Sequence, residues 1–595
     1  MLRRQLLKHA AAAPLFGLAS LADSRADAAP ALGRIRPPDA AWPSAAQWEG
    51  LNAEVGGKLV KPQTVWEACA AAPGSGECLA TLKQVRNPFY LGDNPGGTQV
   101  SGWLDAWVPK ASAYAVEARS ASDVAAAVRF ALRHNLRLVV KGGGHSYLGG
   151  SNAPDSLLIW TRAMNGIVLH EAFTPDGCQE APTHAATLES GCMWIDAYNA
   201  VTTEGGRYVQ GGGCATVGVA GLVQGGGFGS FSKRFGLAAS SLLEAEIVTA
   251  DGVIRTANAC KHPDLFWALK GGGGGTFGVV TKLTLKTHDL PERFGDVSAK
   301  IKAASDEAFR RLIGRFVDHY AEALFNPHWG ESANLSPDRT LEISMVCQGL
   351  DREQIVAIWM PFFDWVRALP QDFSLDGLWM GAAAAQGWWD VQHNPAMVRD
   401  QRPGASPDHG FWRGDQDQVS MFIHGYDSVW MPATLLSPGQ RDRLADALVA
   451  AARFITVRLH FNKGLAGAPP EVNALARQAA TNPAVADAFC LMIAATGGAP
   501  PYPGVPIKAD MAQAHRNAQA VASATAEIEK VAPNAGSYLS ETDYFRKDWP
   551  HAFWGPNYPR LKAIKNLWDP EGFFILHHGV GSEDWTSDGF GRIQG

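Results

Sequence analysis

Three glycine clusters are the part of this chain best suited to chemistry with a ligand. Gly142–Gly144 directly follow a buried, strand-like run and can present a row of backbone N–H groups to a pyrophosphate. Gly211–Gly218 and Gly225–Gly229 hold enough glycine for the backbone to approach a large flat ligand closely. The clusters therefore predict a phosphate-bearing cofactor that lies along these loops.

A further glycine run carries the chain's G-x-G-x-x-G match, at Gly273, Gly275 and Gly278. A Rossmann fingerprint follows a strand and opens a helix, whereas this run follows the helical Asp264–Lys270 and precedes the strand Val279–Leu285. The order is reversed, and the sequence has no Walker A motif. A flexible linker is the alternative for such a run, but apolar elements flank it without a Ser/Pro spacer.

Regular elements position these loops. We predict strands at Val116–Arg119 and Leu136–Val140, with a helix between them that Ser122 caps. The buried face of that helix is predicted to hold Val124, Val128 and Leu132. After Pro291 we predict a helix at Ser305–Leu324 and strands at Leu341–Cys347 and Phe454–Phe461.

The overall composition narrows the function classes. The 595 residues carry 52 Lys and Arg against 58 Asp and Glu, a net charge of −6 without a basic stripe, so nucleic acid is not an expected partner. Beyond the N-terminus no run approaches the length of a membrane span, and C-x₂-C or H-E-x-x-H metal spacing does not occur. We expect no membrane span and no metal site, and the sequence leaves the oligomeric state open.

Residues 1–28 are predicted to be an export signal. Arg3, Arg4 and Lys8 precede the short apolar stretch Ala10–Leu21, and Ala26-Asp27-Ala28 offers a cleavage site. The adjacent arginines are typical of twin-arginine export, with an ordinary Sec signal as the alternative. We therefore expect a periplasmic or secreted protein.

Eight cysteines suit an oxidising compartment. Cys69 and Cys78 are close enough in sequence to close a small loop, and Cys178 could pair with Cys192 around the polar loop that they bracket. The sequence leaves the full connectivity open.

Several motifs in one order resemble a known family. Lys141–Tyr147 (KGGGHSY), Gly211–Gly221 (GGGCATVGVAG), Gly225–Gly236 and Asp264–Val280 resemble the flavin-binding domain of the vanillyl-alcohol oxidase/p-cresol methylhydroxylase (PCMH) superfamily, and more narrowly its berberine bridge enzyme-like branch. Asn557–Leu561, with Lys565 and Trp568-Asp569-Pro570, resembles the C-terminal segment of that branch. The long N-terminal arm and the ending His577–Gly581 are similar to secreted fungal isoamyl alcohol oxidase-type members.

This resemblance implies an α+β fold with a two-subdomain PCMH-type FAD-binding domain and a substrate domain in which helices back an antiparallel sheet. The predicted division is an export signal (1–28), an irregular N-terminal arm (29–109), the FAD-binding domain (110–290), the substrate domain (291–535) and a C-terminal segment that returns to the FAD-binding domain (536–595).

The resemblance also implies how FAD is held. In this branch FAD is commonly attached through a histidine to the 8α-methyl group and through a cysteine to C6, and the matching residues are His145 and Cys214. Taken alone, the histidine could simply bind phosphate, and the cysteine could belong to a disulfide. The other predicted FAD-binding residues are Lys141, Gly142, Gly143, Gly144, Ser146, Gly213, Thr216, Val217, Gly218, Gly225, Gly226, Gly227, Gly229, Val280, Asn557 and Tyr558.

The implied reaction is hydride transfer from an alcohol or carbohydrate-type substrate to FAD, while a base removes the hydroxyl proton. Oligosaccharide-oxidising relatives often use a Tyr-x-Asn-Tyr-like pattern, but here Glu541 replaces the second tyrosine of the stretch Tyr538–Glu541. Glu541 is the first candidate base, Tyr538 and Tyr544 are alternatives, and His577 and His578 are weaker ones. Four tryptophans either line a substrate cleft or, as the favoured alternative, fill the core: Trp388, Trp389, Trp412 and Trp430.

One residue bears on the electron acceptor. Val217 lies three positions after Cys214, where relatives with valine tend to leave space for O₂ beside the flavin ring. We therefore predict an oxidase that uses O₂ and forms H₂O₂. A dehydrogenase with a quinone or protein acceptor, and a flavoprotein without turnover, are the alternatives.

Overall fold

The computed structural model describes residues 33–500 and 508–593, and the predicted export signal lies outside the described residues. Its strands are β1 (Leu59–Val60), β2 (Tyr114–Glu117), β3 (Leu138–Lys141), β4 (Leu157–Trp160), β5 (Ile167–Phe173), β6 (Thr183–Glu189), β7 (Arg207–Val209), β8 (Leu242–Val248), β9 (Ile254–Asn258), β10 (Val279–Asp289), β11 (Arg293–Ala303), β12 (Trp329–Ser336), β13 (Thr340–Gln348), β14 (Phe373–Ala384), β15 (Met397–Arg399), β16 (Gly410–Trp412), β17 (Phe422–Pro432), β18 (Val457–His460) and β19 (Ala488–Gly498). Its α-helices are α1 (Ala45–Glu54), α2 (Glu67–Ala71), α3 (Gly76–Gln84), α4 (Pro88–Gly92), α5 (Ala121–Arg133), α6 (Trp194–Tyr198), α7 (Val219–Gln224), α8 (Ser232–Phe235), α9 (Pro263–Leu269), α10 (Asp306–His319), α11 (Arg352–Arg367), α12 (Arg441–Ala452), α13 (Pro470–Arg477), α14 (Ala484–Asp487), α15 (Met511–Glu529), α16 (Trp549–Trp554) and α17 (Tyr558–Trp568).

The first sheet carries the loop that leads to His145. Strands β2, β4 and β3 run parallel, and β1 pairs with β2 as an antiparallel edge. Helix α5 connects β2 to β3, and its Ser120 cap accepts a hydrogen bond from the Asp123 amide at 3.2 Å. Gly142–Gly144 therefore begin at the carboxyl end of β3, the end at which parallel sheets usually present ligand-binding loops.

Two details of α5 differ from the prediction. Ser122 is not the cap but lies inside the helix, because the extended backbone of Ser120 lets the Ser120 hydroxyl reach the first turn. Leu132 is not on the buried face, since it is 40% exposed while Val124, Val128 and Ala131 are fully buried. The buried face thus continues to Ala131.

The second sheet carries the other glycine loops. It is antiparallel in the order β5-β6-β10-β8-β9, and β7 pairs with the far end of β10. Gly211–Gly218 follow β7, and Gly271–Gly278 lie between α9 and β10, so the helix–glycine–strand order predicted for that run is confirmed. Both loops consequently leave the sheet near its central strand.

The substrate domain is built on a seven-stranded antiparallel sheet in the order β14-β11-β13-β12-β18-β19-β17. Helices α10, α11, α12 and α15 pack against it around a shared apolar core. The predicted helix at Ser305–Leu324 is α10, followed by a π-helical turn over Tyr320–Leu324. An antiparallel sheet backed by helices is the arrangement predicted for this region.

The N-terminal arm is more regular than predicted. It holds the four short helices α1–α4, and α1 begins with a capping box in which Ser44 and Gln47 bond each other's backbone amides. Trp48 of α1 stacks on Tyr114 of the first sheet with ring centroids 4.0 Å apart. The arm is helical because local caps and contacts with the FAD-binding domain supply the order that its weak periodicity did not indicate.

The C-terminal segment packs against the glycine-rich half of the molecule. Trp554 of α16 donates its indole N–H to the Gly271 carbonyl at 2.9 Å. The buried Lys565 ammonium of α17 donates to the Thr276 carbonyl at 2.6 Å and to the Asp569 carboxylate at 2.6 Å. These contacts fix the loop Gly271–Gly278 from outside. Within the described ranges, no helix is long and apolar enough to cross a membrane.

The disulfides confirm one predicted pairing and correct the other. Cys69 is bonded to Cys78 as predicted, but Cys178 is bonded to Cys260 and not to Cys192. Strand β6 lies between Cys178 and Cys192, and its seven residues separate them by roughly 23 Å. The loop that carries Cys178 instead reaches the turn after β9, where Asn258 donates to the Asp176 carbonyl at 2.9 Å.

We expect Cys178→Ser to lower the free energy of unfolding by roughly 2–4 kcal/mol, because the disulfide closes a long loop in the unfolded chain. Denaturant titration of the oxidised protein measures the loss. Cys192→Ala is the matched control, since Cys192 is a free, buried cysteine and its loss should leave both disulfides in a non-reducing peptide map. A map that links Cys178 to Cys192 would contradict the assigned pairing.

Candidate active site

The loops that follow β3 and β7 meet in direct backbone contact. A Cβ added to Gly143 would lie 2.9 Å from the Gly218 nitrogen and 3.0 Å from the Thr216 carbonyl oxygen. Neither loop could come this close with a larger residue at Gly143. His145 Nε2 lies 3.2 Å from the Thr216 hydroxyl, so the histidine of one loop is hydrogen-bonded to the other loop.

The His145 imidazole is neutral at physiological pH. Burial lowers the pKa of His145 to about 4, and the hydrogen-bonding contact with Thr216 offsets only part of that effect. A neutral imidazole keeps a nitrogen lone pair, which is the form that can act as a nucleophile. Cys214, the other residue predicted to bind FAD covalently, is a free thiol.

A carboxylate from the substrate domain faces Cys214. Asp415 lies in the 3₁₀ turn Arg413–Asp417 after β16 and accepts a hydrogen bond from the Ala215 amide at 3.4 Å. The negative charge of Asp415, together with burial, raises the pKa of the Cys214 thiol well above its usual range. Burial in turn raises the pKa of Asp415 to about 6.

An ion pair, Glu541 with Lys463, lies near the loop that holds Cys214. Both carboxylate oxygens of Glu541 are 2.6 Å from the Lys463 ammonium, which follows β18. Glu331 of β12 lies close by, with Oε1 3.7 Å from the position that a Cβ on Gly213 would take. Glu331 has a left-handed φ of 62°, a strained conformation for a residue with a side chain that functional sites often retain.

Two tyrosines, Tyr147 and Tyr426, lie close to Glu541. Tyr147 donates its hydroxyl proton to Gln418 Oε1 at 3.0 Å, and its ring centroid is 5.3 Å from that of Tyr426. Burial raises the pKa of both phenols, and the nearby Glu541 charge raises it further, so both hydroxyls stay protonated. Tyr426 can therefore donate a hydrogen bond to an oxygen of a ligand, whereas the single hydroxyl proton of Tyr147 is donated to Gln418.

The partly exposed surface around His145, Cys214 and Tyr147 is referred to below as the groove. Protein atoms surround His145, Cys214 and Tyr147, yet each side chain keeps part of its solvent-accessible surface. Glycine loops of the first two sheets supply these residues, and Glu331 of β12, Asp415 after β16 and Tyr426 of β17 approach them from the substrate domain. This arrangement can hold a flat ligand between the nucleophiles and the ionisable groups.

Comparison with known proteins identifies the family. Residues 112–258 match the family described as FAD binding domain, and residues 537–581 match the family described as berberine and berberine like. The FAD-linked oxidoreductase notD' of Aspergillus versicolor is 30% identical over 618 residues, which span 94% of this chain and 90% of that protein. The chain belongs to the berberine bridge enzyme-like FAD-linked oxidoreductases.

Solved structures agree with the architecture of this flavoprotein. The VAO-type flavoprotein MtVAO615 from Myceliophthora thermophila C1 superposes with a TM-score of 0.77 at 25% identity, covering 93% of this chain and 98% of that one. Glucooligosaccharide oxidase from Acremonium strictum, described with 6-S-cysteinyl, 8α-N1-histidyl FAD, has the same fold at 20% identity and a TM-score of 0.61, over 87% of this chain and 99% of its own. The predicted α+β class is confirmed.

The residues around the groove fit FAD. In the part of the chain that the structure describes, three buried oxygens beside the glycine loops lack a hydrogen-bond partner: Ser190 Oγ, Gln224 Oε1 and Thr276 Oγ1. Ser190 adjoins Gly142, Gln224 adjoins Gly274, and Thr276 lies within the run Gly271–Gly278. A polar cofactor laid along these loops would supply partners for them. No cluster of His, Cys, Asp and Glu suited to a metal ion occurs among the described residues.

Other predicted FAD-binding residues lie where their side chains serve the protein itself. The Lys141 ammonium donates to the carbonyls of Asn94 at 2.5 Å and Gly97 at 2.6 Å, so it fastens the N-terminal arm to the loop before His145. Asn557 donates to the Thr481 carbonyl at 2.8 Å, and Tyr558 donates to Glu583 at 2.5 Å. Contact of these three with FAD stays a prediction.

The predicted glycines divide into two groups. Gly213 and Gly218 keep accessible surface at the groove, as do Ser146 and Val217. In contrast, Gly225–Gly229 are buried, and a Cβ on Gly229 would lie 2.2 Å from the Gly211 carbonyl oxygen. The second group therefore lets one glycine loop pack on another, and Val280 likewise lies in the core, 3% exposed.

The alternative bases are engaged elsewhere. Tyr538 packs edge-on against Phe228, and its hydroxyl is in hydrogen-bonding range of Ser540 and the Gly227 backbone. Tyr544 stacks on His577 with centroids 3.8 Å apart, and His577 bonds the Tyr544 carbonyl at 2.8 Å. His578 stacks in turn on His577. Among the five candidates, Glu541 is the one that lies in the group around Lys463.

Two of the four tryptophans, Trp389 and Trp430, confirm the core alternative. Trp430 is 1% exposed and packs against Phe228, and Trp389 is 4% exposed and stacks on Tyr198 at 4.0 Å. Trp388 and Trp412 are half-buried against the same core as Trp389. These side chains stabilise the boundary of the FAD-binding and substrate domains, and Trp389 and Trp430 do not line a cleft.

Sequence reasoning missed one site residue of the FAD-binding domain, Tyr147, and five of the substrate domain: Glu331, Asp415, Gln418, Tyr426 and Lys463. Tyr147 could have been predicted from the sequence, because it lies two residues after His145 in the same motif. The others come from separate strands and turns, and no spacing in the sequence links them. Their proximity follows from the order of the seven-stranded sheet.

Proposed function

We propose that this flavoprotein is an oxidase that removes hydride from the carbon of an alcohol or carbohydrate-type substrate and delivers the electrons to O₂, forming H₂O₂. The observation that carries the proposal is the ion pair of Glu541 and Lys463, whose two charges act on the Cys214 thiol. Bound FAD would supply the hydride acceptor. The solved glucooligosaccharide and xylooligosaccharide oxidases share this fold, which supports a hydroxyl-bearing substrate.

We propose that FAD is held by two covalent bonds, one to His145 and one to Cys214. The neutral imidazole and the free thiol support this assignment, as does their placement on two loops in mutual contact. Two attachments would keep the cofactor from dissociating after export. The disulfides Cys69–Cys78 and Cys178–Cys260 support an oxidising destination, and we propose export through the N-terminal twin-arginine signal.

We assign the role of general base to Glu541. Its carboxylate would accept the substrate hydroxyl proton, while the Lys463 ammonium 2.6 Å away would orient it. Tyr426, whose hydroxyl stays protonated, would donate a hydrogen bond to the substrate oxygen. The partly enclosed groove would exclude bulk water from this group.

Anaerobic mixing with a panel of alcohols, sugars and phenols tests the proposal. Loss of the flavin's visible absorbance with a member of the panel is the expected result, because hydride transfer reduces the flavin. If dithionite bleaches the flavin but no member of a broad panel does, the chain would be a flavoprotein without turnover on these substrates.

Val217→Leu tests the assignment of the electron acceptor. Val217 keeps accessible surface at the groove, and an added methylene there would occupy space that O₂ needs. We expect reoxidation of the reduced enzyme by O₂ to slow by roughly tenfold or more, as the usual cost of overpacking implies. Stopped-flow absorbance measures the rate.

Anaerobic reduction by substrate is the internal control for Val217→Leu, and it should stay near the wild-type rate. Val217→Ala is the matched variant, since a smaller side chain should leave the reaction with O₂ fast. Equal reoxidation rates in wild type and Val217→Leu would show that Val217 does not control the reaction with O₂. Slow wild-type reaction with O₂ and fast reaction with a quinone would identify a dehydrogenase.

A further inference from the structure

The Cys214 thiol is paired with a carboxylate that comes from a distant part of the chain. Asp415 lies 201 positions away in the sequence, on the short 3₁₀ turn after β16, yet its Oδ2 accepts the amide of Ala215, the residue next to Cys214, at 3.4 Å, and its charge acts on the Cys214 thiol. The chemistry assigned to Glu541 does not use this contact. It also differs from the environment of most reactive cysteines, in which a cation sits beside the sulfur.

We propose that Asp415 is the base that takes the proton from Cys214 when the sulfur bonds to FAD. The inference rests on the proposed attachment through Cys214. In the step, the S–H proton passes to Asp415, the sulfur forms a bond to C6, and two electrons enter the flavin ring. O₂ then takes up those electrons together with the C6 hydrogen and the sulfur's proton, so thiol, flavin and O₂ yield linked flavin and H₂O₂.

The surrounding charges fit this role. Asp415 raises the pKa of the Cys214 thiol, so the thiol stays protonated at neutral pH and needs a base at the moment of attack. Burial raises the pKa of Asp415 to about 6, which leaves the carboxylate able to accept a proton at neutral pH. The other titratable groups that face this pair are Tyr147, Tyr198, Glu331, Tyr426, Lys463 and Glu541. Of these, Lys463 favours the thiolate that the step produces.

The variant Asp415→Asn distinguishes a role of Asp415 as a base from a role as a structural contact only. The amide oxygen can still accept the Ala215 N–H, but the side chain can no longer take the sulfur's proton. We expect flavin to be attached at His145 as in wild type, while the Cys214 bond forms about 10² more slowly, the scale of a lost general base. Peptide mapping measures both sites, because free Cys214 can be alkylated and linked Cys214 cannot.

The matched control is Asp417→Asn, two residues along the same turn. Asp417 is exposed and pairs with Arg86 at 3.4 Å, so its loss should leave Cys214 fully linked. Asp415→Glu, which keeps a carboxylate, should restore linkage at least in part. Incubation of Asp415→Asn in air at alkaline pH should also restore it, because the thiol then ionises without a base.

The outcomes distinguish the inference from the proposal on which it rests. Linked Cys214 in wild type and free Cys214 in Asp415→Asn would support the role of Asp415. Equal linkage in both would overturn it while leaving the attachment intact. Free Cys214 in the wild-type protein would overturn the proposed attachment and, with it, the role of Asp415.

Discussion

Flavin should remain bonded to the polypeptide in His145→Ala and in Cys214→Ala, and be released on acid precipitation from the double variant alone. The expectation follows from the placement of the two side chains on separate loops that meet at Gly143 and Gly218, so that each can form its bond without the other. Flavin fluorescence of the denatured band in a gel measures retention. The predicted change is from complete retention to complete loss.

Cys192→Ala is the control for the cysteine variant. Cys192 is also free, but it is buried and its sulfur faces the Gly166 carbonyl at 3.7 Å, away from the groove. Its replacement should not alter retention in a His145→Ala background. If the wild-type band itself releases all its flavin, neither residue is an attachment site.

Glu541→Gln should lower the rate of flavin reduction by substrate by a factor of about 10² or more, the usual contribution of a positioned base. The amide keeps the shape of the side chain but cannot accept the hydroxyl proton or balance the charge of Lys463. Anaerobic stopped-flow measures the rate, and the flavin content should equal that of wild type.

Two further variants locate the base. Tyr544→Phe is the matched control, because Tyr544 stacks on His577 and its loss should leave the rate unchanged. Lys463→Met keeps the carboxylate but removes its partner, and we expect a smaller decrease than in Glu541→Gln. An unchanged rate in Glu541→Gln would exclude Glu541 as the base and make Tyr538 the next candidate.

The half of the site that lies on glycine loops could be predicted from the sequence because its signals are local. The run from β3 through Gly142–Gly144 to His145 is contiguous, and so is the run that holds Cys214. A strand that ends in glycines fixes where the next side chain lies, whatever the rest of the fold does. The strand predicted at Leu341–Cys347 likewise lies within β13.

The other half depends on long-range packing. Asp415, Glu331 and Lys463 meet because the β12 and β18 strands are neighbours in the sheet and a turn from β16 reaches over the Cys214 loop. Nothing in their local sequences indicates this. The same limit explains the wrong pairing of Cys178 with Cys192, because a short sequence separation concealed an intervening strand.

Reduction of the wild-type enzyme by substrate without air, followed by a pulse of O₂, distinguishes an oxidase from a dehydrogenase in one experiment. We expect the flavin absorbance to be lost with substrate and to return rapidly with O₂, with one H₂O₂ formed for each substrate oxidised. A reduced flavin that ignores O₂ but is reoxidised by a quinone, with no H₂O₂, would contradict this expectation.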